Sequence, residues 1–307
     1  MSGAPGAAPP AGPPAGAPPG GHPGAGPPGG PGGPPGGGPP GAPATEIDEQ
    51  RATDFKSLFR LDGKRVIIVG GYGGIGEVTT RLFSACGAVV VIAGRSEEKA
   101  QALAEGLSGR AIGARVDISD RRSARDLVGL CVDELGGLDV LVNLAGIDIE
   151  APAEQLAEDD WHALIEINLS GAFWLSQAAG EVMIEARRGG RVIHYSTTRS
   201  VAGGRKGFAG YAASKAGLNG LIRQLATEWG KYRIAVNGIA PGFVPTELVS
   251  DAVGDQRFVS MMLNRIPFGR FGEPVELAGA TLFLASPAAS FIPGQDIFVD
   301  GGVTASS

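Results

Sequence analysis

The stretch that most constrains the fold is Arg65-Val-Ile-Ile-Val69 running straight into Gly70-Gly-Tyr-Gly-Gly-Ile-Gly76, with the helix-forming segment Glu77–Ala85 behind it. A β-branched apolar run closed by glycine reads as a buried strand. The glycines fit G-x-G-x-x-G at Gly71, Gly73 and Gly76, and G-x-x-x-G-x-G at Gly70, Gly74 and Gly76. A second apolar run, Ala88–Ala93, returns within about 30 residues, so strand, turn, helix and strand form one βαβ unit. Glycine permits the tight turn and lets backbone N–H groups and the helix N-terminus approach a pyrophosphate. Tyr72 and Ile75, inside the same loop, join the candidate contacts.

The end of the second strand reads Ala93-Gly94-Arg95-Ser96, with no carboxylate until Glu97. An acidic residue there would accept the ribose 2′-OH of NAD, whereas an arginine accommodates the 2′-phosphate of NADP. Arg95 supplies a planar cation and Ser96 a hydroxyl, so the chain is expected to prefer NADP(H), with NAD(H) as the alternative.

Apolar β-runs and helical segments then alternate. Ala111–Val116 ends at Asp117-Ile118, and a helical stretch covers Arg121–Leu135. Leu138–Val142 ends at Asn143-Leu-Ala-Gly146, and one long helical region spans Asp159–Ala186. Strand Arg191–Tyr195, helix Ala209–Trp229, strand Ile234–Ile239 with Pro241-Gly242, helix Pro274–Leu284 and a last strand Asp296–Val299 complete the series. This pattern indicates an α/β fold with a single doubly wound parallel sheet and helices on both faces. Ligands bind such sheets at the carboxyl ends of the strands. Asp117, Asn143, Ala145, Gly146, Thr197, Pro241 and Gly242 all lie just past strand ends, so one rim collects the candidates.

Composition separates the N-terminus from this pattern. Residues 1–43 hold 16 Gly, 16 Pro and 8 Ala, with only Met1, Ser2 and His22 besides. A segment without large apolar residues cannot offset its ordering entropy, and it has neither a Gly-X-Y period nor the features of a secretory signal. We expect a disordered tail over 1–45, a passive spacer, and one domain over 46–307. The net charge of −6 falls outside the tail, so no basic footprint points to nucleic acid or an anionic membrane. No apolar run reaches the about 18–20 residues of a membrane span. Cys86 and Cys131 have neither metal nor disulfide spacing, which suits a reducing cytosol. The expected location is cytoplasmic.

Tyr211-Ala-Ala-Ser-Lys215 carries the candidate chemistry. Residues four apart share one helix face, and Leu218, Leu221, Ile222, Leu225 and Trp229 continue the helical spacing. A lysine beside a phenol favours the phenolate, so the Tyr211 pKa is expected to fall. A phenol tuned toward neutrality exchanges protons with a carbonyl or alcohol oxygen. His162 and His194 are read as structural, and no His/Cys/Asp cluster has metal-ligand spacing.

These motifs, in order, make the chain resemble the short-chain dehydrogenases/reductases over roughly Leu61 to Val303. The set comprises GGYGGIG, Asp117, NLAG at 143–146, Asn168 in INLSGAF, YAASK, PGFVPT at 241–246, and Gly294-Gln295 followed by Val299-Asp-Gly-Gly302. LFRLDGK and RQLATEWGKY are similar to the branch of gluconate 5-dehydrogenase-like and 3-oxoacyl-carrier-protein-reductase-like enzymes. The resemblance implies a Rossmann fold and hydride transfer between a carbonyl and a secondary alcohol, with ketone or 3-oxoacyl reduction as the direction. A non-catalytic NADP-binding sensor or scaffold is the competing reading.

By position, the resemblance makes Tyr211 the general acid/base and Lys215 the group that lowers its pKa and meets the nicotinamide ribose. It gives Asn168 a water in a proton relay. Gly70, Gly74 and Gly76 would cradle the pyrophosphate and Asp117 would meet the adenine. Asn143, Ala145 and Gly146 would line the cofactor, with Val244 and Thr246 at its carboxamide end. It also implies a homotetramer or homodimer.

Three departures stand out. Val69 and Leu144 replace a threonine and an asparagine, removing polar contacts. The family's carbonyl-polarising serine is replaced within Ser196-Thr197-Thr198. Counting back thirteen residues from Tyr211 selects Thr198, whereas counting along the strand from Arg191 selects Thr197. The strand fixes direction better than a glycine-rich loop, so Thr197 is chosen, with Ser196 and Thr198 as alternatives. Phe243–Arg270, with Val249, Phe258, Val259, Met261, Met262 and Leu263, is expected to close over a moderately hydrophobic small-molecule carbonyl or alcohol substrate. Specificity would reside there and in Asp148–Gln155.

Overall fold

Why the chain folds as it does is visible in the strand burial: β1 (Arg65–Val69) is buried from its second residue onward, as a central parallel strand must be. In the computed structural model, which describes residues 54, 56–204, 207–245 and 256–306, with the side chains of 256–258 left aside, β1 leads into α1 (Gly74–Ala85). Then follow β2 (Val89–Gly94), α2 (Glu97–Glu105), β3 (Ala111–Arg115), α3 (Arg121–Leu135) and β4 (Val140–Asn143). Helix α4 (Glu158–Ile165) passes through a π turn, Glu166–Ser170, into α5 (Gly171–Ala186). The rest is β5 (Gly190–Tyr195), α6 (Ala209–Trp229), β6 (Ile234–Pro241), α7 (Gln256–Leu263), α8 (Pro274–Ala285) and β7 (Asp296–Val299). The expected tail, Thr246 and Val249 lie outside the described residues.

The sheet runs β3-β2-β1-β4-β5-β6-β7, with every pairing parallel. Order reverses between β1 and β4, where such sheets open a crevice at their carboxyl ends. Alternate residues feed two cores. Ile67, Val69, Leu141 and Val192 pack with Leu127 of α3, Leu175 of α5 and Leu218 of α6, while Val66, Ile68, Val142 and Ile193 pack with Phe83 of α1 and Leu277 of α8. Each fully buried aliphatic side chain contributes about 1.5–3 kcal/mol. The doubly wound α/β sheet with helices on both faces, expected from the sequence, is the architecture found. No helix among the described residues is long and apolar enough to cross a membrane.

The single helix expected over Asp159–Ala186 differs in one respect: its middle is the π turn. Such insertions concentrate at functional sites, and this one holds Asn168.

Candidate active site

The glycine loop folds back on itself. Gly70 sits at φ 78° and donates its N–H to the Ala93 carbonyl at 2.7 Å. A Cβ at Gly76 would collide with the Gly70 carbonyl oxygen, and one at Gly71 would lie 2.8 Å from that of Ile68. Helix α1 starts at Gly74, so its first amides have no intrahelical acceptor. Beside it lies a cleft of about 330 Å³ lined by Gly70, Tyr72, Gly73, Arg95, Asp117, Ile118, Ala145 and Gly146. Ile75 turns instead toward the second core.

The residues present fit a dinucleotide. A Cβ at Gly94 would stand 2.5 Å from the Tyr72 ring, and one at Gly146 would stand 2.9 Å from Asn168 Oδ1 and 3.1 Å from Lys215 Nζ. Glycine at these points keeps the trough open. Arg95 is exposed at its edge. Ser96 N-caps α2 by accepting the Lys99 N–H and donates its own N–H to the Tyr72 hydroxyl at 2.9 Å. Asp117 Oδ1 accepts from the Ser119 hydroxyl and amide, which hold its carboxyl below the usual range.

Asn143 does not line the cleft. It is buried, accepting the Ala145 N–H at 3.1 Å and contacting His194 Nδ1 at 3.3 Å. His194 Nε2 meets Ser176 Oγ at 2.8 Å, and that hydroxyl donates to the Ala172 carbonyl. The chain is satisfied when Asn143 donates to Nδ1 and Nε2–H donates to Ser176. Burial pushes His194 down to about 3, with Lys215 adding to the effect, so the ring stays neutral. His194 is thus the structural brace expected. Val244 is also buried; its side chain lines a separate cavity of about 280 Å³ with Phe243 and Phe268. Pro241 ends β6, and Gly242 donates to the Val299 carbonyl with no room for a Cβ beside Asp300. Of the expected lid, Met261 is exposed on α7, and Val259, Met262 and Leu263 are half-buried.

The candidate reacting groups converge at the tip of β5. The Thr197 hydroxyl faces the Tyr211 phenol. Ser196 turns away to donate to Asp296 at 2.7 Å, and Thr198 opens a 3₁₀ turn capped by Thr197 itself. Lys215, 4% exposed, donates from Nζ to the Tyr195 carbonyl at 2.7 Å. Asn168 is fully committed. Its Oδ1 accepts the Ile147 N–H at 2.8 Å, and its Nδ2 donates to the Ile147 carbonyl and to Ser214 Oγ, which itself donates to the Tyr211 carbonyl.

The electrostatics correct one expectation. Tyr211 is pushed up to about 12, first by burial and then by Asp148, with the Thr197 hydroxyl and Arg199 opposing. Lys215 does not lower it because its ammonium points at β5. Burial brings Lys215 down to about 8, with Asp296 and Asp148 opposing. Sequence reasoning missed Asp296 and Ser214. Ser214 was legible inside YAASK, one residue before the lysine; Asp296 had no local signal. Around the mouth, the Arg199 guanidinium lies 3.8 Å over the Phe208 ring, and the Asp148 carboxyl is raised by burial despite Arg199.

Residues 70–304 match the family described as enoyl-(acyl carrier protein) reductase. A gluconate 5-dehydrogenase of Gluconobacter oxydans is 35% identical over 252 residues, covering 81% of this chain and 98% of the relative. A 3-oxoacyl-[acyl-carrier-protein] reductase of Thermotoga maritima is 39% identical over 247 residues, covering 80% of this chain and 99% of the relative. The crystal structure of a gluconate 5-dehydrogenase from Burkholderia cenocepacia in complex with NADP and tartrate superposes with a TM-score of 0.77 at 39% identity, over 82% of this chain and 99% of that one. With the switch-point cleft and the Thr197–Tyr211–Lys215–Asn168 cluster at one rim of the sheet, these likenesses make the chain an oxidoreductase of the short-chain dehydrogenase/reductase family.

Proposed function

We propose that the protein interconverts a ketone and a secondary alcohol using NADP(H). The observation that carries this reading is the placing of the Thr197 hydroxyl beside the Tyr211 phenol at the end of β5, with the Lys215 ammonium close to Gly146 of the cleft. Gly70, Gly73 and the first amides of α1 would hold the pyrophosphate, Arg95 and Ser96 the 2′-phosphate, Asp117 and Ile118 the adenine side, and Ala145, Gly146 and Lys215 the nicotinamide half. The NADP in the Burkholderia relative supports that choice. When bound, the nicotinamide supplies or accepts the hydride.

The chain supplies the rest. Thr197 donates a hydrogen bond to the carbonyl oxygen, stabilising the charge that develops there. Tyr211 is a neutral phenol at pH 7 and gives its proton to that oxygen in reduction, leaving a phenolate; in oxidation the same step runs backwards and the phenolate takes the alcohol's proton. Lys215 places a cation beneath the site. Asn168 locks the Ile147 peptide to α6, fixing the floor at Gly146 against the Tyr211 turn.

Half-buried Arg199 and the carboxyl of Asp148 flank Tyr211. An apolar chain laid against them would strip both charges of water without offering partners. A ketone bearing hydroxyl or carboxylate groups suits the mouth better.

Fluorescence titration with NADPH and NADH, followed by a panel of sugar ketones, simple ketones and β-ketoacyl thioesters, tests this. Turnover of polar ketones that vanishes in Tyr211→Phe is expected. Tight NADPH binding without turnover of any panel member would instead favour a sensor or scaffold.

A further inference from the structure

Outside the reacting set, the polar groups converge on one carboxylate. Asp296 opens β7 in register with Gly238 of β6. A Cβ at Gly238 would collide with Asp296 Oδ1, so glycine there lets the carboxylate lie across β6 toward the tip of β5. Asp296 Oδ2 accepts from Ser196 Oγ at 2.7 Å, and Ser196 Oγ accepts the Thr197 N–H at 2.5 Å. The other side of Thr197 is held by Ser200 Oγ, which donates to the Thr197 carbonyl at 2.5 Å and accepts from Asn219 Nδ2 at 2.9 Å. Thr197 is therefore gripped at its amide and its carbonyl while its hydroxyl meets Tyr211.

The same carboxylate faces Lys215, whose Nζ holds the Tyr195 carbonyl immediately before Ser196. Two carboxylates reach Lys215 from separate elements, Asp296 on β7 and Asp148 in the loop after β4, and the neutral ring of His194 faces it from β5. Asp296 in turn faces Lys215 and Arg223, both on α6. Its Oδ1 is buried without a well-formed hydrogen bond. Linking Ser196 to β7 needs only a neutral acceptor, and a buried carboxylate is a costly way to supply one. The charge itself therefore has a purpose.

We propose that Asp296 is a positioning residue for the reaction proposed above: through Ser196 it fixes Thr197 at the tip of β5, and its negative charge faces the Lys215 ammonium. The inference rests on that reading of the site. A buried lysine deprived of its carboxylate surrenders its proton at lower pH. Thr197, deprived of its anchored amide, loses the aim of its hydroxyl.

Two variants separate these effects. Asp296→Asn keeps the shape and an acceptor for Ser196, whereas Asp296→Ala removes both. In Asp296→Asn, the pH at which kcat falls on the alkaline side should drop by about one unit or more with KM within about twofold. Asp296→Ala should lose about a further tenfold in kcat, within the about 10²–10⁴ that positioned acid–base groups supply. Lys215 is also read without turnover. In protein labelled with ¹³Cε-lysine, the resonance absent from Lys215→Arg should titrate about one unit lower in Asp296→Asn than in wild type. An unmoved midpoint, or pH profiles that superpose, overturns the proposal. If the wild type turns over no carbonyl, the reaction reading fails, and the NMR midpoint still decides whether Asp296 holds the charge of Lys215.

Discussion

Lys215 Nζ donates a 2.7 Å hydrogen bond to the Tyr195 carbonyl while standing 6.0 Å from the centre of the Tyr211 ring. The lysine of YxxxK thus clamps the end of β5 and is only a distant neighbour of the phenol. Burial then governs both groups, lowering the ammonium to about 8 and raising the phenol to about 12.

The lysine makes stability rise with pH over a defined window. From about 8 up to its ordinary 10.5, the unfolded chain still binds a proton that the folded chain has released. The penalty of the buried charge is fully present below that window and is relieved across it. Lys215→Met abolishes this dependence. By denaturant titration, wild-type stability minus that of the variant should increase by roughly 2–3 kcal/mol between the two ends of the window. A flat difference would mean that the ammonium is solvated. Comparison with the variant cancels the opposite trend of the Cys131 thiol, itself pushed up to about 12 by burial.

The hydroxyl at the tip of β5 separates three neighbouring residues. Thr197→Ser keeps the donor and should retain kcat within about threefold, whereas Thr197→Val should lose about 10²–10³, the scale for one oxyanion donor. Thr198→Val should change kcat little, because Thr198 sits in the 3₁₀ turn that Thr197 caps. Ser196→Ala should act through Thr197, with a smaller loss. Steady-state kinetics on a single polar ketone checks all four. A larger loss in Thr198→Val than in Thr197→Val would reassign the donor.

What the sequence made legible was what local rules determine. The β-branched run and glycines placed β1, the loop and α1; the strand phase, which fixes the direction of each side chain, pointed to Thr197 rather than Thr198. Tyr211 and Lys215 share a helix face as their spacing demands. The direction of the lysine's tip was not legible, because the Tyr195 carbonyl reaches it only once β5 and α6 pack. The π turn carries Asn168, whose partner is the Ile147 backbone 21 residues earlier, a pairing no local rule announces. Asp296 arrives from the last strand through its register with Gly238, a contact that no periodicity announces.

Cofactor preference should reside in one side chain. Arg95 is exposed at the end of β2, beside the cleft and next to the N-cap of α2. A charge-assisted hydrogen bond contributes about 1.5–3 kcal/mol. Arg95→Ala should therefore weaken NADPH binding about 10- to 100-fold while leaving NADH nearly unchanged. Fluorescence titration measures both. Equal losses for the two dinucleotides would place Arg95 away from the 2′-phosphate.

His194 should make the fold acid-sensitive before most carboxylates titrate. Its ring is held near 3 by burial, against 6.5 in the unfolded chain. Between those values the unfolded state binds a proton that the folded state refuses, so the stability contributed above 6.5 is lost progressively as pH falls. Protonation would turn Nδ1 into a donor facing the Asn143 amide, breaking the link that carries Ala145 to the cleft floor. At 1.36 kcal/mol per pH unit, lowering the pH from 6.5 to 5 should remove roughly 2 kcal/mol. His194→Gln retains a donor and an acceptor but cannot titrate. Its stability at neutral pH should be lower, because an amide cannot span Asn143 and Ser176 as the ring does. Urea titrations of both proteins at a series of pH values isolate the effect of the ring. Parallel pH dependence in wild type and variant would show that the ring accepts its proton inside the fold, with the Asn143 amide turned so that its oxygen accepts from Nδ1–H.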